Sequence, residues 1–385
     1  MRILTVSNCP LVETQGSGYV ITHFCQGLRD LGHTVDAFGP ETYEIWPQWG
    51  GRAKSYRQAI GMVPFVLQQL RRHAYDVLEL YGGEAWLLTS LVRSLPGRSF
   101  LLVSHSNGLE PYALNRLIDY ARQGYGEHPY GKWYRLNQTP LFRLAFTGVD
   151  GIVTVSQAER RYALEQGYQT PDRVLAIENP LPETYLGLPV VEARPLTIGY
   201  CGSWIDRKGI QVIQTDLAQI LAEFPTCSLR LIGVGEGFQA SDHFPAALCD
   251  RIQVIPFVAD RAALQQHYQS LTILVVPSLY ESFGLVMAEA MACGCALVAA
   301  RTGFAADLQP DVEALILDRP FSPQLYGAVR RLLLDEGLRH RIAAAGYQRV
   351  QSLHWERAVQ SLEATYQDWL AAFRSSHTVP SRSKG

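Results

Sequence analysis

The chain has 385 residues, of which 47% are hydrophobic and 18% are charged. This balance excludes disorder for most of the chain, and the length predicts two or three domains. The 34 basic and 36 acidic residues nearly cancel, which argues against a nucleic-acid binder. No signal peptide and no run of about 18 apolar residues is seen, so we expect a cytoplasmic protein without a membrane-spanning helix. The seven cysteines are expected to be reduced thiols rather than metal ligands.

Short β-branched runs alternate with longer helical stretches along the chain. Strands are predicted at residues 1–7, 34–38, 77–81, 100–105 and 151–155, and again at 196–201, 228–232, 252–255, 274–276 and 296–299. Helices are predicted at 19–31, directly after Gly16-Ser17-Gly18, and at 210–224, 284–293 and 355–373. This alternation predicts βαβ units and parallel sheets. Two successive series of strands predict two Rossmann-like domains.

A proline-rich connector separates the two series. It contains Asn179-Pro180-Leu181-Pro182, Pro189 and Pro195, a composition typical of a domain junction. We therefore place the domain boundary between residues 185 and 186. Ligands of open parallel sheets bind beyond the carboxyl ends of the strands, so functional loops are expected directly after strands, facing a cleft between the domains.

A loop and a helix follow the strand at 274–276. The first backbone amides of this helix, those of Phe283, Gly284 and Leu285, would form an anion site at the positive end of the helix dipole. Glu281 lies in the loop and Glu289 inside the helix, and each carboxylate can accept two hydroxyl hydrogen bonds from a sugar. The alternative is that Glu281 caps the helix and Glu289 is solvated. The apolar neighbours of Glu289 favour a partnered carboxylate.

Two further groups follow strands. Arg207 and Lys208, in GYCGSWIDRKG at 199–209, lie just before a helix, where cations can neutralise a diphosphate leaving group. The alternative for this pair is a solvated surface position. His105 ends a strand of the first series, and it is interpreted either as a group near the reaction centre or as a hydrogen-bonded structural residue.

Together these segments resemble the retaining GT-B glycosyltransferases of the family-4 kind. ESFGLVMAE matches the E-x7-E signature of that family through Glu281 and Glu289, and CGSWIDRKG resembles its phosphate-binding segment. ETQGSGYVITHF, LLVSHSN and LHWERAVQSLEATYQDWL are similar to its opening glycine loop, its strand ending in a histidine and its closing helix. The resemblance implies a GT-B fold, in which two Rossmann-like domains flank a cleft and the C-terminal helix crosses back to the N-terminal domain. The acceptor-side domain would comprise residues 1–185 with about 355–385, and the nucleotide-sugar domain residues 186–354.

The resemblance also implies roles for individual residues. The catalytic set would be His105 near the reaction centre, Glu281 on the hydroxyls of the transferred sugar, and Lys208 on the diphosphate. Glu289 would bind the ribose, and Val258 would lie against the base. The other donor-binding positions would be Gly16, Gly18, Arg207, the amides of Phe283, Gly284 and Leu285, and Ser203, which stands where the family usually has an arginine.

These expectations define an enzyme that moves a sugar from a nucleoside-diphosphate sugar to an acceptor hydroxyl with retention of configuration. UDP and GDP are the expected nucleotides, the acceptor is a carbohydrate, a lipid-linked compound or a small molecule, and no cofactor or metal is expected. One alternative is a non-catalytic nucleotide-sugar-binding protein, which only Ser203 supports. A second is a two-domain oxidoreductase, but Phe238 occupies the third glycine position of a dinucleotide fingerprint that begins at Gly233.

The first domain contains one basic stretch. No acidic residue lies between Glu44 and Asp76, whereas five basic residues do: Arg52, Lys54, Arg57, Arg71 and Arg72. One interpretation is a surface for peripheral contact with an anionic membrane, at its inner face, or with a lipid-linked acceptor. The other is an ordinary helix with a solvated face, and the wide spacing of the basic residues slightly favours it.

Overall fold

A computed structural model describes residues 1–13, 16–49, 53–125, 132–191 and 193–377, without the side chains of residues 132–138 and 377. Its strands are Arg2–Val6 (β1), Thr34–Phe38 (β2), Val77–Tyr81 (β3), Leu101–His105 (β4), Gly151–Thr154 (β5), Val174–Ala176 (β6), Thr197–Cys201 (β7), Ser228–Ile232 (β8), Ile252–Ile255 (β9), Ile273–Val276 (β10), Ala296–Ala300 (β11) and Leu315–Leu317 (β12). Its α-helices are Gly16–Asp30 (α1), Lys54–Arg72 (α2), Trp86–Val92 (α3), Glu110–Arg122 (α4), Lys132–Thr147 (α5), Gln157–Glu165 (α6), Ile210–Glu223 (α7), Arg261–Gln269 (α8), Leu285–Ala292 (α9), Gln324–Leu334 (α10), Glu336–Val350 (α11) and Trp355–His377 (α12).

The strands form two parallel six-stranded sheets. The first has the order β2-β1-β3-β4-β5-β6, and the second has the order β12-β11-β10-β7-β8-β9. Central strands such as VLELY of β3 and ILVV of β10 are buried along their whole length, as expected where helices cover both faces of a parallel sheet. All ten predicted strands are confirmed to within one residue at each end. The sequence does not predict β6 and β12, which have three residues each and lie at sheet edges.

The chain divides into two compact units, one around each sheet. Unit 1 comprises the described residues of Met1–Tyr112, Tyr130–Glu178 and Trp355–Gly385, and unit 2 comprises those of Ala113–Pro129 and Asn179–His354. The division after Glu178 lies a few residues before the expected boundary. Most of α4, which the sequence assigns to the first domain, groups with unit 2 because it packs there.

The C-terminal helix α12 belongs to unit 1, as the expected fold requires. Its side chains donate hydrogen bonds to three parts of that unit: Trp355 Nε1 to Tyr19 Oη at 3.2 Å, Tyr366 Oη to Glu79 Oε1 at 2.5 Å, and Trp369 Nε1 to the carbonyl oxygen of Asp172 at 2.9 Å. The last helix of the chain is therefore anchored to structure built from the first 180 residues.

The strand order of unit 2 determines which loops meet. Strands β7 and β10 are neighbours although more than 70 residues separate them, and their carboxyl ends lie at the same edge of the sheet. The loop at 202–209 therefore lies beside the loop at 277–284. This adjacency brings the two predicted donor-binding motifs together.

Candidate functional site

Glu281 lies in the loop between β10 and α9, and two cations from the loop after β7 converge on it. Lys208 Nζ donates to Glu281 Oε1 at 2.6 Å, and Arg207 Nη1 lies 4.0 Å from Glu281 Oε2. Ser278 Oγ adds a hydrogen bond to Oε1 at 2.7 Å. The side chain of Lys208 is only 15% exposed, whereas that of Arg207 is 38% exposed. Lys208 is therefore a mostly buried ion-pair partner, and the solvated-pair interpretation does not describe it.

The surroundings of Glu281 keep its carboxylate ionised. Burial by itself would raise the pKa of Glu281, but the charges of Lys208 and Arg207 and the hydrogen bonds from Lys208 and Ser278 outweigh it, so the pKa lies below its ordinary value. The backbone amide of Glu281 donates to Thr302 Oγ1 at 2.9 Å, which ties the loop to the residues after β11. The result is a fixed, charged carboxylate flanked by two cations.

Helix α9 begins directly after this loop. Its N-cap is Gly284, which has a φ of 83°, a conformation that favours glycine, and no side chain caps the helix. Glu281 is therefore not the capping acid. The first-turn amides, including those of Gly284 and Leu285, have no acceptor within the helix and can bind an anion. The ring of Phe283 is buried 5.1 Å from that of Phe304, which anchors the loop next to these amides.

Glu289 lies on α9 with different partners. Tyr268 Oη donates to Glu289 Oε2 at 3.1 Å, and Arg261 Nη1 lies 3.7 Å from Glu289 Oε1. Glu289 is only 4% exposed, so it is a partnered carboxylate and not the solvated helix residue of the alternative. Burial raises the pKa of Glu289, and the charge of Arg261 and the bond from Tyr268 offset only part of that effect.

Ser203 and Val258 lie in two different loops of unit 2. Ser203 is exposed in the loop after β7, where its carbonyl oxygen accepts a hydrogen bond from Tyr200 Oη at 2.7 Å. Val258 is half-buried between β9 and α8, and its neighbour Phe257 is 62% exposed. An exposed phenylalanine beside the predicted base-contact position is a group that can stack on a base.

Several residues around these carboxylates carry no sequence signal. Ser278, Thr302, Tyr268 and Arg261 contact Glu281 or Glu289, but none of them belongs to a spaced motif. Within unit 2, Arg116 Nε of α4 donates to the carbonyl oxygen of Leu279 at 3.2 Å, two residues before Glu281. Only the tertiary structure reveals these partners.

In unit 1, His105 ends β4 inside a buried hydrogen-bond network. His105 Nδ1 lies 2.8 Å from Glu79 Oε1 and 2.8 Å from Tyr81 Oη, and the rings of Tyr81 and His105 stack 4.6 Å apart. The side chains of His105 and Glu79 are each 1% exposed. The hydrogen-bonded environment agrees with the structural interpretation of His105, and the position at the carboxyl end of a strand agrees with the functional one.

Gly16 and Gly18 differ from their expected setting. The helix predicted at 19–31 begins at Gly16, so both glycines lie in the first turn of α1 instead of a preceding loop. Gly16 is exposed. A Cβ on Gly18 would lie 2.5 Å from the carbonyl oxygens of both Pro10 and Val12, so the loop after β1 packs against the bare backbone of this turn. Close packing of the loop on the helix is the physical reason for glycine at position 18.

The basic stretch is only partly available at the surface. Arg57 is buried and pairs with Glu44 at 2.7 Å, so it cannot contact a membrane. Lys54, Arg71 and Arg72 are exposed on α2, whereas Arg52 lies outside the described residues. Trp46 and Trp49 are more than half exposed and stack 5.2 Å apart. Across the part of the chain that the structure describes, no helix is long and apolar enough to cross a membrane.

Two family models match the chain in succession. Residues 15–180 match the glycosyl transferase 4-like domain, and residues 195–335 match glycosyl transferases group 1. The first match contains His105, and the second contains Lys208, Glu281 and Glu289. Two parallel sheets with these two domains define a protein of GT-B fold.

Similar proteins agree with this class. The chain is 30% identical over 251 residues to D-inositol 3-phosphate glycosyltransferase of Acidothermus cellulolyticus, a match that covers 60% of this chain and 55% of the relative. The chain thus spans about half the length of that relative. It spans 28% of the length of a second relative, the D-inositol 3-phosphate glycosyltransferase of Thermobifida fusca. Sucrose-phosphate synthase of Thermosynechococcus elongatus has a similar structure, with a TM-score of 0.76, 18% identity and coverage of 97% of this chain and 100% of that one. HepE of Anabaena in complex with UDP-glucose gives a TM-score of 0.65 at 17% identity, over 98% of this chain and 100% of that one. The solved structures share the GT-B fold of this chain, and both of its domains match family models of glycosyl transferases.

Proposed function

We propose that this protein transfers a sugar from a nucleoside-diphosphate sugar to an acceptor hydroxyl with retention of configuration. The observation that carries the proposal is the arrangement at one edge of the unit 2 sheet. Lys208 and Arg207 converge on the ionised Glu281, and the first-turn amides of α9 follow directly in the chain. Two cations and a helix N-terminus suit a diphosphate, and a carboxylate on each side suits the two sugars that flank it in a nucleotide-sugar.

The chain's own residues can stabilise the charge that develops in such a reaction. The bond between the anomeric carbon and the diphosphate oxygen breaks, and negative charge grows on the leaving group next to Lys208, Arg207 and the α9 amides. The acceptor oxygen forms its bond to the anomeric carbon on the same face, and its proton passes to the departing phosphate oxygen. Retention thus follows without the pair of carboxylates that a glycoside hydrolase uses. Glu281 holds hydroxyls of the transferred sugar, and His105 contacts sugar or phosphate.

Uridine or guanosine diphosphate is the proposed nucleotide portion of the donor. HepE was crystallised with UDP and with UDP-glucose, and a trehalose-6-phosphate protein of E. coli with UDP-2-fluoro glucose, which favours UDP as the first nucleotide to test. The relatives named D-inositol 3-phosphate glycosyltransferase make that phosphate the first acceptor to test.

Thermal melting of the full chain with UDP, GDP, ADP and NAD tests the donor site. A ligand at 100 times its Kd stabilises by about 2.7 kcal/mol, which raises Tm by roughly 5–10 °C for a domain of this size. We expect such a shift with UDP or GDP, and its loss in Glu289→Gln, which keeps the side-chain shape but replaces one of the two acceptor oxygens with an amide donor. Asp318→Asn, at a highly exposed surface carboxylate, is the matched control and should melt and bind as the wild type. A shift with NAD alone, or an equal shift in Glu289→Gln, would contradict the proposal.

A non-catalytic nucleotide-sugar-binding protein is the second candidate, and Ser203 is the observation in its favour. Ser203 places a neutral, exposed side chain where relatives of the family usually carry an arginine. The proximity of Arg207 to Glu281 supplies a second cation from a neighbouring position and favours the enzyme. Incubation with UDP-glucose or GDP-mannose and D-inositol 3-phosphate, followed by nucleoside-diphosphate release and NMR of the anomeric proton, distinguishes the two. Binding without release supports the second candidate, and an inverted product refutes retention.

The exposed residues of α2 support a peripheral membrane contact. Lys54, Arg71 and Arg72 offer positive charge, and Trp46 and Trp49 offer aromatic surface suited to a membrane interface. Co-sedimentation with vesicles that contain phosphatidylglycerol should exceed that with phosphatidylcholine vesicles, and Arg71→Glu with Arg72→Glu should abolish the difference. Equal sedimentation with both vesicles would exclude the contact.

A further inference from the structure

The network around His105 leaves one carboxylate, Glu79, without an assigned role. Glu79 lies in the interior of β3, between Thr5 on β1 and Val103 on β4, two residues before His105. Oε1 lies 2.8 Å from His105 Nδ1 and accepts from Tyr366 Oη at 2.5 Å, while Oε2 accepts from Thr5 Oγ1 at 2.7 Å. An ionised group at this depth is costly unless its oxygens are fully hydrogen-bonded, and these donors meet that requirement.

The protonation of this network follows from the number of donors. Burial by itself would raise the pKa of Glu79, but the hydrogen bond and charge of His105 and the hydroxyls of Tyr366 and Thr5 outweigh it, so the pKa lies below its ordinary value. An ionised carboxylate can only accept hydrogen bonds. Because Nδ1 faces Glu79 Oε1 at hydrogen-bond distance, Nδ1 must carry the proton. Tyr81 Oη, 2.8 Å from the same nitrogen, can then donate only to Glu79, at 3.4 Å.

We propose that Glu79 is a positioning residue for His105: it fixes the imidazole as the Nδ1–H tautomer, so that Nε2 is the ring nitrogen that contacts the substrate. This role rests on the proposed function, in which His105 contacts sugar or phosphate. A neutral imidazole then offers the lone pair of Nε2 to a hydroxyl, and an imidazolium offers Nε2–H to a phosphate oxygen beside the compensating charge of Glu79.

The proposal also gives the C-terminal helix a part in the site. Tyr366 belongs to α12 and donates the shortest hydrogen bond that Glu79 receives. Without this hydroxyl, Oε1 would keep His105 and Tyr81 as donors but lose its strongest one. The orientation of His105 therefore depends on a residue 261 positions later in the chain, which the sequence does not connect with it.

Two variants of the full chain and one control test this inference. Glu79→Gln keeps the shape but removes the charge, and Tyr366→Phe removes one donor while Glu79 stays. The control is Tyr43→Phe, which deletes another buried tyrosine hydroxyl of unit 1, one that donates to the carbonyl oxygen of Ser7 at 2.6 Å. We expect turnover of the donor to fall about 10–100-fold in Glu79→Gln and several-fold in Tyr366→Phe, with KM for the donor nearly unchanged. Tyr43→Phe should lose stability but keep its kcat.

A second measurement does not depend on turnover. In ¹H–¹⁵N correlation spectra of the ¹⁵N-histidine-labelled chain, assigned with His105→Gln, we expect Nδ1 of His105 to carry the proton in the wild type, and Glu79→Gln to show a mixture of tautomers. A wild-type Nε2–H tautomer, or wild-type kcat in a folded Glu79→Gln, would overturn the proposal. If the wild type binds the donor but never turns it over, the proposed function fails, while the tautomer result still decides the role of Glu79.

Discussion

The ion pair between Lys208 and Glu281 offers the sharpest test of the unit 2 site. Lys208→Met keeps the length of the side chain and removes its charge, which leaves a buried carboxylate with Ser278 Oγ at 2.7 Å and Arg207 at 4.0 Å as its remaining partners. We expect a large loss of stability, because the desolvated charge of Glu281 is then only partly compensated.

The magnitude follows from the distances. At an effective dielectric constant of about 20, two unit charges 2.6 Å apart attract by about 6 kcal/mol, and 4.0 Å apart by about 4 kcal/mol. Removal of one partner from a buried pair typically costs about 3–5 kcal/mol, and the partial exposure of Lys208 favours the lower end. A loss of about 3 kcal/mol lowers Tm by roughly 6–12 °C in a domain of this size.

A double-mutant cycle measured by calorimetry separates the pair from its parts. Glu281→Gln removes the charge that Lys208 compensates, so the double variant Lys208→Met with Glu281→Gln should melt above Lys208→Met alone. Arg207→Met is the matched control: its cation is more exposed and 4.0 Å away, so its Tm should fall by less than half as much. Additive effects of Lys208→Met and Glu281→Gln, without coupling, would refute the predicted stabilisation by this ion pair. An Arg207→Met variant destabilised as strongly as Lys208→Met would refute it as well.

Three further predictions concern packing and pH. Gly18→Ala should cost about 1–3 kcal/mol in thermal unfolding, because its methyl group meets two carbonyl oxygens, whereas Gly16→Ala on the exposed side of the same turn should change stability by less than about 0.5 kcal/mol. Arg194 donates to five carbonyl oxygens, so Arg194→Lys should lower Tm by several degrees, while Arg301→Lys in a surface ion pair should not. Burial raises the pKa of Glu110 to about 8, so the folded state holds this proton more tightly than the unfolded state does. The folding stability gained from the proton is complete below the ordinary pKa of 4.5 and is lost as the pH rises through 8. Melting curves from pH 5 to 9 should therefore show Glu110→Gln gaining on the wild type as the pH rises, and parallel curves would contradict this.

Much of the local structure is predictable because it follows from short-range patterns. Apolar β-branched runs mark the strands to within one residue, and the position of Glu281, Gly284 and Glu289 relative to a buried strand marks the loop and the helix of the candidate site. The start of α1 is wrong by three residues, because glycine is a poor helix former and Gly16 and Gly18 indicate a loop. Packing of Gly18 under the loop after β1 overrides that local preference.

The sequence by itself determines two parallel α/β domains, the connector between them and the carboxylates and cations of the donor motifs. Local periodicity and motif spacing encode these features, and neither requires knowledge of distant contacts. Only the tertiary structure decides which partners those residues meet, because sheet order makes β7 and β10 neighbours and so joins Lys208 to Glu281. The same holds for Glu79, Tyr366 and His105, since a hydrogen-bond network between β3, β4 and the last helix depends on how distant segments pack, and no periodicity within any of those segments records it.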